Sequence, residues 1–562
     1  MSLRQMLAWC GLPVIAAFAA TSAHAADAPG ALKAACERVS SITTASSVVK
    51  GTFIATADDF AKSTIQNIGD ASRPLFENAA ASRVESPLPF CRVEITSTPV
   101  AGAEIKSEVW LPPADKWNGR LLGAGNGGPA GSVNPGVLAA GLAQGYAIAH
   151  SDAGSHSREK LGANGTAIGM RFGVINKEWA TNYAHRGYHT MTVVAKDVVQ
   201  SAYTQKPKAS LFMGCSGGGY EALAEAQRYP EDYDGIISGD PAINFAKVGI
   251  WQGASYVATH KDPAAVIPES MLPVIYNHFI AKCDAIDGVK DGVIDDPRRC
   301  KADFTPLLCK PGQKDCLNPQ QITALDKIYG PLHHPATKDL VYPGFPIGAE
   351  LSAGAKARVA NLFTGSEINA NTPGAIVWVM PPGFSAKDWF TFDFHKDADK
   401  YVTAFAPYDN TNPDLRPFLG RGGKLIMFTG WADPNLNPYD IVNYFENVGK
   451  VVGEKQARQS TRLFMAPGMY HCGGGPGPNS FGQSMEAHGN RGADRNILDA
   501  LDRWVTEGVA PERIVATKYG DEGSSKEVVR TRPLCAWPKA ARWNGKGSTD
   551  DAANFTCVDS KS

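Results

Sequence analysis

The sequence predicts an α/β fold built on a mostly parallel, doubly wound sheet. Three observations lead there. Short apolar runs of strand length recur along the chain, stretches with helical spacing separate them, and one run ends in a serine flanked by glycines. Strands alternating with helices need crossover connections, which lay helices on both faces of a parallel sheet.

The elements follow in order. Residues 92–110 (RVEITSTPVAGAEIKSEVW) alternate in places and are broken by Pro99 and Gly102, which reads as two antiparallel strands joined by a turn. Residues 119–128 (GRLLGAGNGG) form a short apolar strand running into a glycine-rich loop, and residues 145–151 (GYAIAHS) another apolar run. Residues 179–203 have Val193, Val194, Val198 and Val199 at helical spacing. Leu211, Phe212 and Met213 form the next strand, residues 221–228 a helix, and residues 233–239 (YDGIISG) a further strand. From Pro241 to Asp414 the alternation is lost, and residues 241–414 read as an inserted lid domain. The rhythm resumes at residues 424–429 (KLIMFT) and 462–466 (RLFMA), and the tail after Glu522 reads as loop.

A chain of 562 residues is long for one core, so more than one domain is expected. The division predicted is a signal peptide over 1–25, a first domain part over 26–240, the lid over 241–414 and a second domain part over 415–562. Arg4, the apolar stretch 6–20 and Ala23-His24-Ala25 have the layout of a cleaved export signal. That stretch is too short to span a bilayer, and no later run is long and apolar enough to do so. A formal net charge of −1 offers no field to draw nucleic acid or an anionic membrane, and neither is an expected partner. Of 11 cysteines, Cys10 lies in the signal. The other ten, with no CxxC pair among them, read as a disulfide framework in an exported chain.

Gly214-Cys215-Ser216-Gly217-Gly218 fits the GxSxG nucleophile elbow of α/β-hydrolases. The elbow is a sharp strand-to-helix turn, and larger residues two before or two after the serine would collide. A glycine-rich surface turn is the competing reading of these residues alone. A serine hydroxyl needs a base to take its proton and a carboxylate to hold the base. In this fold the chain order is serine, acid, histidine. Asp433 follows the strand 424–429, and His471 follows the strand 462–466, so order and placement both fit. His185 and His189 lie in a helical segment and read as structural; His488 follows no strand. The oxyanion needs backbone N–H donors. Gly217 is one candidate. The other comes from the 125–128 loop, where Gly127 is chosen over Gly128; no Walker lysine or GxGxxG spacing makes that loop a phosphate site.

Cys215-Ser216, Asp433 and His471-Cys472 together resemble the CS-D-HC motif of the tannase and feruloyl esterase family, which also includes the hydrolase of mono(2-hydroxyethyl) terephthalate. The similarity extends over nearly the whole chain after the signal. It implies an exported serine carboxylesterase with an α/β-hydrolase fold and a large inserted lid domain, acting on small esters of aromatic, phenolic acids. Feruloyl ester is the leading substrate class, with gallate ester and terephthalate monoester as alternatives. A non-catalytic recognition protein on the same fold is the reading from a different class; such proteins usually lose the serine or the histidine, and both are present.

Residues 283–297 (CDAIDGVKDGVIDDP) are dense in oxygen donors, the chemistry calcium takes. Asp284, Asp287 and Asp291 supply carboxylates, in a spacing that is not an EF-hand. The resemblance implies calcium here, held by these three side chains and the carbonyls of Val289 and Val293, in a structural role. Trp378, Phe384, Trp389, Phe390, Phe392, Phe394, Tyr401, Phe405 and Tyr408 crowd the insert. Most read as lid core, and Trp389 is the choice for a residue facing the aromatic acyl group. Cys215 and Cys472 each adjoin a member of the expected catalytic pair, which brings them within reach of one another and predicts a disulfide. The others are expected to pair by proximity: Cys36 with Cys91, Cys283 with Cys300, Cys309 with Cys316, and Cys535 with Cys557.

Overall fold

In the computed structural model of the chain, residues 28–62, 88–128, 131–155, 177–352, 390–393, 396–484, 490–520 and 527–560 are described. Seven strands come first: β1 (Ser47–Ile54), β2 (Phe90–Ser97), β3 (Ile105–Leu111), β4 (Arg120–Ala124), β5 (Ala147–Ser151), β6 (Ala209–Cys215) and β7 (Gly235–Gly239). Two short strands, β8 (Leu332–His333) and β9 (Leu340–Tyr342), come next in the chain, and β10 (Lys424–Gly430) and β11 (Thr461–Ala466) follow them. One sheet takes the order β1-β2-β3-β5-β4-β6-β7-β10-β11. The six strands from β5 to β11 are mutually parallel, and β1, β2 and β3 are antiparallel at one edge.

The central strands are mostly apolar because both faces are covered. Successive side chains enter opposite cores. Leu121, Phe212, Ile236, Met427 and Leu463 pack on one side with the helices Gly187–Tyr203 and Gly217–Arg228. Leu122, Leu211, Ile237, Ile426 and Phe464 pack on the other with Pro135–Leu142 and Ile497–Glu507. This is the period of two that a strand imposes on its side chains. Described residues between β7 and β10, among them Trp251, Ile275, Phe279 and Tyr342, join the first of these cores. The expected helix 179–203 is interrupted by one π-helical turn, Asn182–Arg186, before Gly187–Tyr203 continues.

The tail corrects the sequence reading. After β12 (Arg513–Tyr519), the residues beyond Glu522 form β13 (Val528–Cys535), β14 (Lys539–Trp543) and β15 (Phe555–Asp559), not loop. β12 pairs with β13 and β14 with β15, each antiparallel. These ribbons keep one side in water, so their Arg and Thr content hid them from a search for apolar runs. β1 also went unrecognised.

All five expected disulfides are formed: Cys36–Cys91, Cys215–Cys472, Cys283–Cys300, Cys309–Cys316 and Cys535–Cys557. Among the described residues, no helix is long and apolar enough to cross a membrane. The proposed signal, residues 1–25, lies outside the described residues, as do Trp378, Phe384, Trp389, Phe394 and His488.

Candidate active site

β6 ends at Cys215, and the helix Gly217–Arg228 begins two residues later, with Ser216 between them at φ 62°, ψ −118°. That backbone lies in a region an L-residue rarely occupies. The turn leaves no room for a side chain at Gly214, where a Cβ would meet the Gly218 backbone at 2.5 Å. Asp433, fully buried, stands three residues past the end of β10. Its Oδ1 accepts the backbone N–H of Asn435 at 2.7 Å and of Leu436 at 3.1 Å. Its Oδ2 meets His471 Nδ1 at 2.7 Å, and His471 Nε2 meets Ser216 Oγ at 2.8 Å. A carboxylate only accepts, so Nδ1 carries the ring proton and Nε2 is left as the acceptor facing the serine. The fold brings together residues 255 positions apart by placing each after the carboxyl end of a parallel strand of the same sheet, β6 for Ser216 and β11 for His471.

The 125–128 loop lies against the elbow: a Cβ on Gly217 would reach Gly128 O at 2.2 Å. Gly127 sits within this loop. Sequence reasoning missed what holds it. Glu221, buried on the helix after the elbow, accepts the Asn126 backbone N–H at 2.9 Å on Oε2 and Asn126 Nδ2–H at 3.2 Å on Oε1. Burial pushes the Glu221 carboxyl up to about 8 against the pull of those two bonds. Tyr183, on the π-helical turn, donates to Gly128 O at 3.2 Å. Asp240, fully buried just after β7, was also missed.

His185 and His189 have partners of their own, Tyr229 Oη and Asp232 Oδ2, each at 2.6 Å. The described aromatics of residues 241–414 pair with one another: Phe392 stacks on Tyr401 at 5.7 Å, Phe390 lies tilted against Tyr256 at 5.4 Å, and Phe405 meets Phe245 edge to face at 6.0 Å. Phe245 in turn meets Tyr220, four residues beyond the serine, at 5.2 Å.

Acidic groups able to hold a cation occur among the described residues, including His189 with Glu225 and Asp232. In the 283–300 loop, Asp284 accepts the N–H groups of Asp291 and Gly292, Asp287 that of Val289, and Asp291 that of Val293. Burial, with the Asp291 charge adding to it, raises the Asp287 carboxyl above its ordinary range. Burial, then Asp287, pushes Asp295 up to about 7. Asp291 is partly balanced by Arg532 at 2.6 Å and Arg530 at 3.4 Å. The same loop sends Arg298 between the rings of Trp431 and Trp537, 4.8 Å from each, which ties it to the segment carrying Asp433.

Comparison with known proteins adds an independent line. The family model for tannase and feruloyl esterase matches residues 91–558. An uncharacterised esterase of Xanthomonas campestris is 35% identical over 535 residues, covering 88% of this chain and 89% of the relative. A probable feruloyl esterase B-1 of Aspergillus oryzae is 29% identical over 504 residues, covering 88% of each chain. The crystal structure of feruloyl esterase B from Aspergillus oryzae superposes with a TM-score of 0.77 at 26% identity, covering 94% of this chain and all of that one. The tannin acyl hydrolase of Aspergillus niger shares the fold, with a TM-score of 0.65 at 20% identity.

Proposed function

The chain belongs to the tannase and feruloyl esterase family, a carboxylic ester hydrolase of the feruloyl esterase type acting on phenolic acid esters, and from that premise we propose that Ser216, His471 and Asp433 carry out the hydrolysis through an acyl-enzyme. The observation that carries this reading is the imidazole of His471 bridging Ser216 Oγ and Asp433 Oδ2.

His471 Nε2 takes the hydroxyl proton as Ser216 Oγ attacks the ester carbonyl. Asp433 keeps the proton on Nδ1 and stabilises the imidazolium. The oxyanion is received by the N–H of Gly217 and of a glycine in the 125–128 loop, Gly127 by preference. When the tetrahedral intermediate collapses, the imidazolium gives its proton to the leaving alcohol. Water then repeats the cycle on the acyl-enzyme and releases the phenolic acid. The feruloyl ester is the substrate we favour, and the 241–414 insert is the lid that selects it.

Calcium is the ion that suits residues 284–293. The donor set is all oxygen, and burial, with neighbouring carboxylate charge adding to it, raises the Asp287 and Asp295 carboxyls. Asp284, Asp287, Asp291 and the carbonyls of Val289 and Val293 would hold it. Bound calcium would neutralise these carboxylates and brace the loop, with no part in the acyl transfer. The disulfides accord with export through a signal peptide to the periplasm or beyond.

The experiment is steady-state hydrolysis of methyl ferulate, methyl gallate and mono(2-hydroxyethyl) terephthalate, with Ser216→Ala as the control. The reading expects methyl ferulate to have the highest kcat/KM and the variant to lose turnover on all three. Wild-type turnover in the variant would end the Ser216 assignment, and a clear preference for gallate would replace the substrate.

A further inference from the structure

We infer that Asp240 is a positioning residue for the ester hydrolysis: from the end of the strand beside the acid's own strand, it pins the backbone next to His471 and sets a second carboxylate beside the imidazole. The inference rests on the triad proposed above.

Asp240 follows Gly239, the last residue of β7, and is fully buried. Its φ is 34°, a left-handed backbone that residues other than glycine seldom adopt. Ser216 (φ 62°) and Cys472 (φ 61°) share that unusual sign, so three such residues meet at this site. Strain of this kind persists where the surroundings hold it, and it gathers at functional sites. Here the holding groups are visible. Asp240 Oδ1 accepts from Thr429 Oγ1 at 2.6 Å and from the Gly430 N–H at 3.0 Å, both at the end of β10. Asp240 Oδ2 accepts the Cys472 N–H at 2.8 Å. One carboxylate therefore joins the strand beside the nucleophile's, the strand that carries the acid, and the loop that carries the base.

The disulfide already ties Cys472 to Cys215 by their side chains, and Asp240 holds the same residue by its backbone. The two restraints act on different atoms, so together they fix the direction of the His471 ring as well as its distance from the elbow. A carboxylate oxygen of Asp240, one of Asp433 and a ring nitrogen of His471 lie within 4.8 Å of one another. Asp433 and His471 are the titratable groups that face it among the described residues. Burial first, and the Asp433 charge next, push the Asp240 carboxyl up to about 8. Its three bonding partners all donate, and hydrogen bonds donated to a carboxylate favour the ionised form. The imidazolium formed during attack favours that form too. The rate therefore rises as Asp240 ionises.

The test is the pH profile of kcat and kcat/KM on methyl ferulate for the wild type, Asp240→Asn and Thr429→Val. In Asp240→Asn the amide still accepts from Thr429 and Gly430 but turns N–H groups toward Cys472 N–H. We expect kcat at pH 8 to fall about 10- to 100-fold with KM changed less than about twofold, the size of a misplaced catalytic group. The limb near pH 8 is lost in that variant. Thr429→Val removes one donor to Asp240, keeps the Cys472 bond, and moves the limb to higher pH; it carries the test if Asp240→Asn does not fold. Wild-type kcat and pH profile in Asp240→Asn, or an unmoved limb in Thr429→Val, would overturn the role of Asp240 and leave the triad untouched. A wild-type protein that does not hydrolyse the ester would remove the triad reading beneath it.

Discussion

Replacing Cys215 and Cys472 together by alanine tests how far the catalytic pair depends on a covalent tie. The bond closes a loop of 257 residues. Two further bridges lie inside that loop, of 17 and 7 residues, and shorten it too little to matter in a logarithm. The chain-entropy model gives roughly 5 kcal/mol for a loop of this length, and engineered bonds show that such values are upper figures. At about 2 °C per kcal/mol for large domains, the melting temperature falls by on the order of 10 °C. Both cysteines are buried, and alanine avoids adding buried hydroxyls. The Asp240 bond to Cys472 N–H survives the exchange, so the histidine loop is loosened and not freed. We expect kcat to fall about tenfold, well short of the loss in Ser216→Ala. Calorimetry gives the first number and methyl ferulate kinetics the second, with a thiol count to confirm that the other four bridges are intact. A melting temperature within about 2 °C of wild type together with unchanged kcat would refute the claim that the bond holds the site.

Other outcomes follow from the same contacts. Glu221→Ala releases Asn126 and with it the oxyanion loop; kcat is expected to fall about 100- to 1,000-fold, as for one lost oxyanion donor, and an unchanged kcat would show that Glu221 does not hold that donor. Excess chelator lowers the melting temperature, and added calcium restores it, because an ion bound only to the folded state contributes about 2.7 kcal/mol at a hundredfold excess over Kd; an identical melting curve, with no calcium by metal analysis, contradicts the site. Stability of the metal-free protein falls as pH rises from 6.5 to 8. In that window Glu221 and Asp240 (about 8) and Asp295, Glu350 and Asp409 (about 7) keep protons that the unfolded chain has already given up. His150 and His185, held near 4 chiefly by burial, act in the opposite sense only below about 6.5, and a melting temperature that climbs between pH 6.5 and 8 would reverse the sign.

The parts legible in the sequence are those whose cause is local. Runs such as residues 424–429 are apolar because both faces of the strand are buried, and that burial leaves a mark in composition. Asp433 and His471 stand out because each follows such a run, and Ser216 because its turn excludes side chains at the positions around it. Asp240 and Glu221 left no comparable mark. Asp240 meets Cys472 across 232 residues and Glu221 meets Asn126 across 95, and nothing within either one's own segment distinguishes it from a surface carboxylate. β13 was missed for the opposite reason: its first half is exposed, so its Arg and Thr side chains dilute the pattern that marks a buried strand. The π-helical turn at Asn182–Arg186 carries Tyr183, which bonds Gly128 55 residues away, and a helical periodicity encodes neither the turn nor that contact.

The central claim is that Ser216 is the nucleophile, activated by His471. Its most direct test is peptide mapping by mass spectrometry after treatment with a fluorophosphonate, which captures a serine only when a base has made it nucleophilic. The expected result is one adduct per chain, on the peptide containing Ser216, formed in step with loss of methyl ferulate hydrolysis and absent in His471→Ala. An adduct on another residue, or full inactivation with Ser216 unmodified, would contradict it.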